Sequence, residues 1–165
     1  MILEINLKNH FEAALSVFIL TTGYLSLLIY FNFDFGIVMI CSIAYLLFVI
    51  PGIYLHIEYW SINRYEKYII STDSISRYKN KKEEIYYASD IKKIILHGSA
   101  TLFKPWFHLS AMEQYHFARV FLKDGNSLTI TCLLTPRVDK SLEILKGVGI
   151  KKRKGLFNST FIYSD

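Results

Sequence analysis

The chain has 165 residues, 52% of them hydrophobic, and a formal net charge of +5. The charge is divided: residues 1–60 carry one cation, Lys8, against four acids, a balance of −3, whereas residues 61–165 carry 18 Lys and Arg against 10 Asp and Glu, a balance of +8. Two cysteines, Cys41 in an apolar run and Cys132 in the charged part, exclude a disulfide framework and fit a reducing compartment.

Residues 1–12 form an N-terminal segment in which Leu3-Glu4-Ile5-Asn6-Leu7-Lys8 alternates apolar and polar. That period is a strand signal, for a strand at the edge of a following domain, with an interfacial helix as the competing reading. Residues 13–31 then run 19 positions without Asp, Glu, Lys, Arg or His, and residues 35–55 run 21; only Asn32-Phe33-Asp34 separates them. About 20 apolar residues suffice to cross roughly 30 Å of hydrocarbon. Residues 13–60 therefore read as a transmembrane helical hairpin with spans at about 13–31 and 35–57. Glu4, Glu12 and the second span argue against a cleaved signal peptide. Small and hydroxylated residues in the first span, Ser16, Thr21, Thr22, Gly23 and Ser26, allow close helix contact. Asp34 suits the cap of the second helix and Pro51 predicts a kink in it. His56, Glu58, Tyr59 and Trp60 mark an interface. Arg64, Lys67 and Arg77 follow the second span while the turn carries no cation, which predicts a multi-pass protein of the cytoplasmic (inner) membrane with both termini cytoplasmic.

Residues 61–150 read as one small domain. Strands are predicted at 65–71, at 74–79 and 83–88 around Asn80-Lys81-Lys82, and at 90–97. Residues 98–112 read as irregular, and a hairpin follows at 115–123 and 127–134 around Asp124-Gly125-Asn126. A helix should start at Thr135 and Pro136, carry Val138, Leu142, Leu145 and Val148 on one face, and end at Gly147 and Gly149. Residues 151–165 are a basic tail. The fold class is a membrane α-helical hairpin plus an α+β domain of antiparallel strands closed by a C-terminal helix.

Three stretches carry a family resemblance: Trp60 with Tyr65-Glu66-Lys67-Tyr68-Ile69-Ile70, then Ile85-Tyr86-Tyr87-Ala88-Ser89-Asp90-Ile91-Lys92-Lys93-Ile94, then Leu122-Lys123-Asp124-Gly125 with Leu128-Thr129-Ile130-Thr131-Cys132-Leu133-Leu134. They resemble the bacterial two-span membrane proteins with a pleckstrin-homology-like (PH-like) domain. The resemblance implies a PH-like fold at the cytoplasmic membrane and no catalytic motif. Some related two-span members are associated with resistance to membrane-active bacteriocins.

The residues themselves point away from catalysis. Among the five histidines, His108 and His116 could meet across strands, yet no cysteine cluster joins them, so polar surface or core roles are expected. Glu83 and Glu84, neighbours on a strand, point to opposite faces. No nucleophile elbow, phosphate loop or zinc-protease helix motif is present. No enzyme activity, cofactor or metal is expected. Two basic clusters, Arg77, Lys79, Lys81 and Lys82, and Lys151, Lys152, Arg153 and Lys154, are the lipid-headgroup candidates. Each cation near an anionic leaflet contributes about 1 kcal/mol; nonspecific leaflet attraction, or a solvated face that enforces topology, is favoured over recognition of one headgroup. Trp106 and Phe107 are the partner-contact candidates, with core filling or membrane contact as the alternatives. Tyr86 and Tyr87 could stack bases, but the membrane accounts for the positive charge and no nucleic acid is expected. The expected function is a non-enzymatic, membrane-anchored module that binds membrane lipid headgroups, a protein partner or a second copy of itself. The alternatives are an immunity protein against a membrane-active peptide, or an accessory subunit of a transporter or envelope complex.

Overall fold

The computed structural model describes residues 1–99, 110–155 and 161–162, except the side chain of Lys154. Trp106, Phe107 and His108 lie outside the described residues.

The apolar runs form helices α1 (Leu7–Tyr30), α2 (Phe35–Phe48) and α3 (Ile50–Asn63). Asn6 caps α1 by accepting from the Asn9 amide at 2.8 Å. The reversal uses left-handed backbone at Asn32 (φ 48°) and Phe33 (φ 56°). Asp34 then caps α2, its carboxylate accepting from the Ile37 amide at 3.2 Å. The helix breaks at Val49, as Pro51 in the first turn of α3 requires, because proline lacks the donor that would continue the ladder. Across the hairpin the Thr21 and Tyr45 hydroxyls lie 3.2 Å apart, and Tyr24 and Ser42 meet at 2.9 Å. Helix α1 and the 29-residue stretch Phe35–Asn63 are each long and apolar enough to cross a membrane, and only 11% of the most apolar window in each is buried. A core helix of a soluble protein would bury most of that surface.

The β-rich part has two four-stranded sheets. The first, in the order β1 (Ile2–Glu4), β2 (Glu66–Ile70), β3 (Ser74–Lys79) and β4 (Lys82–Tyr87), is antiparallel throughout. The second contains β5 (Ile91–Ser99), β6 (Phe117–Leu122), β7 (Ser127–Thr131) and β8 (Ile150–Gly155), in the order β7-β6-β5-β8. Leu3, Tyr68, Ile70, Ile75, Ile94, Leu96, Val120 and Ile130 from both sheets fill the core, closed by Val138 and Leu142 of α4 (Val138–Leu142) and by Leu145. Two-residue reversal at Asn80 (φ 50°) and Lys81 (φ 64°) matches the strand twist of the β3–β4 hairpin.

Pairing of β1 with β2 changes how the chain is organised. Leu3 lies opposite Tyr68 and is 1% exposed, so the N-terminal alternation is a core strand. The helical hairpin is spliced into the connection between the first two strands, with Ile5 and Asn6 leading out and Arg64 and Tyr65 leading back.

Two C-terminal expectations need correction. The helix is five residues long, not the dozen read from 135 onward. Thr135 accepts from the Arg137 amide at 3.4 Å in a turn, and the Lys146 amide donates to Thr72 O at 2.9 Å, which pulls the chain out of the helical path toward the β2–β3 loop. Residues 151–155 of the basic tail belong, with Ile150, to strand β8, parallel to β5.

A short 3-10 helix, Ala111–Gln114, joins the domain to the hairpin. Gly52 permits the contact: a Cβ there would stand 2.6 Å from the Ala111 Cβ. Ala13, Leu55, Tyr59, Met112, Tyr115, Phe117, Cys132 and Leu133 form a second core between hairpin and domain.

Candidate functional site

Where α3 ends, a buried carboxylate gathers the charges of the first sheet. Strand β2 turns Glu66, Tyr68 and Ile70 to the inside, so an acid enters the core face. Asn63, the last residue of α3, donates to Glu66 Oε2 at 2.9 Å and to Thr129 O at 3.0 Å. Its own Oδ1 accepts from the Thr131 amide at 3.1 Å. One side chain thus satisfies the open edge of β7 and ties it to the helix. Tyr68 donates to Glu66 Oε2 at 2.7 Å, Lys79 Nζ lies 2.9 Å from Oε1, and Arg77 donates to Oε1 as well. Arg77 also reaches Glu84 Oε2 at 3.3 Å, which accepts from Tyr86 at 2.8 Å.

Burial alone would raise the Glu66 carboxyl; the hydrogen bonds from Arg77, Tyr68 and Lys79 and the Arg77 charge outweigh it and hold the group below the ordinary carboxylate range. Burial and the neighbouring Glu66 charge push the Tyr68 phenol well up. A cleft of about 320 Å³ opens here, lined by Ser61, Glu66, Arg77, Lys79, Ser127 and Thr129.

Arg77 and Lys79, expected as headgroup ligands, are therefore committed to Glu66. Lys81 and Lys82 stand exposed on the β3–β4 turn. Since Glu66 pairs with Lys79 and Lys79 with Lys82, that turn lies at the end of the sheet where α3 finishes. Lys151, Lys152 and Arg153 are exposed on β8, in the other sheet, and Lys152 lies 3.7 Å from Asp139. The two basic clusters thus occupy different sheets.

Two further groupings link the hairpin to the domain. His10 Nδ1 lies 2.9 Å from His56 Nε2, and His56 Nδ1 lies 2.9 Å from the Tyr115 hydroxyl, a polar chain across α1, α3 and the segment before β6. Cys132 and His116 line a cleft of about 190 Å³ with Glu12. Burial pushes the Cys132 thiol up to about 12 and keeps the His116 imidazole below its usual value, the opposite of the surroundings that activate a cysteine. Among the described residues no three His, Cys, Asp or Glu side chains are grouped to hold a metal ion.

Sheets closed by a short helix, with an apolar hairpin spliced in after the first strand, define a compact β-rich module bearing two candidate membrane helices. The family model for the PH domain matches residues 4–140, and the chain belongs to that family. The match starts in β1 and ends in α4, so it takes in the hairpin as well as the sheets. Comparison with curated proteins and with solved structures finds no match.

Proposed function

We propose that the chain is a non-enzymatic PH-domain module, held at the cytoplasmic membrane by its hairpin with both termini cytoplasmic, that engages anionic lipid headgroups through Lys81 and Lys82. The observation that carries this reading is the β3–β4 turn: both lysines are exposed, and the turn sits at the same end of the sheet as the end of α3. The 11% burial of the apolar windows supports the membrane address, because surface of that kind needs lipid or another chain to cover it. Steeply positive charge after residue 60 supports the orientation. Arg77 and Lys79 position the hairpin through Glu66 and leave the turn lysines to act.

Two cations at about 1 kcal/mol each set a ceiling of about 2 kcal/mol, roughly a 30-fold preference for anionic over zwitterionic lipid. The test is spin-labelled phosphatidylglycerol against spin-labelled phosphatidylcholine around the full chain in nanodiscs. The preference should fall with salt and largely vanish in the Lys81→Glu/Lys82→Glu variant. An unchanged preference in that variant at low salt would sink the proposal.

A further inference from the structure

We infer that the domain is sunk into the inner leaflet: its Ser110–Met112 corner lies at the depth of the acyl chains, and lipid covers the exposed apolar side chains Phe11, Ile57 and Trp60. The inference rests on the membrane reading above and adds a depth to it. Ser110 donates to Phe48 O at 3.2 Å, at the last residue of α2. Helix α2 has 14 residues. At about 1.5 Å per residue it rises about 21 Å, against a hydrocarbon thickness of about 30 Å. With the turn at the far interface, the corner of the domain stands roughly 10 Å inside the hydrocarbon.

Helix α1 agrees. In the orientation that satisfies its amide, Gln114 donates to Glu12 O and Ala13 O and accepts from Ser16 Oγ at 2.9 Å, leaving residues 17–30 beyond the docked level. Backbone is admissible at that depth where protein satisfies its polar groups, and here Ser110 O accepts from the Glu113 amide and Met112 O from the Tyr115 amide, both at 3.1 Å. The Ser110 hydroxyl takes up a carbonyl at the α2–α3 break, and Ala111 is wholly buried.

The surface below the docked level is what lipid would cover. Phe11 is 60% exposed, Ile57 58% and Trp60 42%, and Phe11 stacks on Phe18, itself 55% exposed, two turns further along α1. That surface ends where Arg64 stacks over Trp60 and Tyr65, with the cation 5.3 and 4.6 Å from the two rings. Aromatic and cationic groups of this kind mark the headgroup level. From Phe35 to Trp60 the helix rises about 38 Å, which suits the hydrocarbon plus part of an interface. Lys8 and Glu12, paired at 3.8 Å along α1, reach the headgroup margin by snorkelling.

The experiment places single tryptophans in the full chain, in a Trp60→Phe/Trp106→Phe background in nanodiscs. Ile57→Trp and Phe11→Trp report the lower face, Ile40→Trp the span and Ile85→Trp the exposed β4 strand; all four positions are exposed, so the fold is retained. Quenching is read with acyl-brominated phosphatidylcholine and with aqueous acrylamide. The Ile57→Trp and Phe11→Trp variants, at the inner edge of the hydrocarbon by the same rise per residue, should be quenched by the brominated lipid, though less than Ile40→Trp, and should resist acrylamide, while Ile85→Trp does the reverse. Acrylamide quenching at 57 and 11 equal to that at 85, with position 40 still lipid-quenched, would overturn the depth alone. Acrylamide quenching at 40 would overturn the membrane reading and the depth with it.

Discussion

Replacing Glu66 by Gln removes the charge that holds Arg77 and Lys79 while keeping the shape of the side chain. Breaking a fully buried ion pair costs about 3–5 kcal/mol. Here the Glu66 side chain is 3% exposed, but Arg77 is 21% and Lys79 46% exposed, so both cations recover part of their hydration. The amide oxygen of Gln still accepts from Tyr68 or Asn63. Discounting for both, we expect a loss of about 2 kcal/mol, or a Tm lower by about 4–8 °C for a chain of this length. The sign with pH follows from the direction of the shift: Glu66 is held below its unfolded value. Its contribution is full above about pH 4.3 and is lost as pH falls through the folded value. Thermal unfolding of the full chain in detergent, followed by near-ultraviolet circular dichroism from pH 7 to pH 3, should show wild type and Glu66→Gln separated at neutral pH and converging in acid. A variant within 0.5 kcal/mol of wild type at pH 7, on the scale of an ordinary surface substitution, would refute the reasoning. So would a gap that stays constant into acid.

Leu3→Ala should cost about 2–5 kcal/mol, because Leu3 is a core residue of the first sheet. Hydrogen exchange of the β2 amides should rise with it, and a neutral effect would remove β1 from the fold. Gly52→Ala puts a Cβ 2.6 Å from the Ala111 Cβ, on a short helix with no flexible tip to yield. Overpacking of about 1–3 kcal/mol then opposes a helix-propensity gain of about 1 kcal/mol. Ala111→Gly should therefore destabilise wild type yet rescue Gly52→Ala, and strictly additive Tm values would show that the two residues do not touch.

The features legible in the sequence are the local ones. Uncharged runs, the Asp34 cap, the Pro51 break and the Asp-Gly turn all depend on neighbours within a few positions, and each appears in the structure. The strand period of residues 3–8 was readable, but its length was not: Asn6 caps α1, so the alternation ends at Glu4. What escaped is non-local. Pairing of Leu3 with Tyr68 spans the whole hairpin, and the meeting of His10 with His56 joins residues 46 positions apart. The basic cluster looked like four free cations because Arg77, Lys79, Lys81 and Lys82 are close in sequence. Alternation of Glu66 with Tyr68 and Ile70 carried the missing signal, an acid on an inward face that needs cationic partners. Residues 151–155 read as a tail because four consecutive cations mask strand periodicity; on the edge strand Lys151, Lys152 and Arg153 stay exposed while the backbone pairs with β5.

The most direct test of a PH-domain module anchored by a membrane-crossing hairpin is the sidedness of its two ends. Single cysteines at Phe33 in the turn and at Lys81 in the β3–β4 turn, in a Cys41→Ala/Cys132→Ala background, are challenged with a membrane-impermeant maleimide on intact and then permeabilised cells. Position 33 should react on intact cells and position 81 only after permeabilisation. Protection of both positions until permeabilisation, or reaction of position 81 on intact cells, would contradict the account.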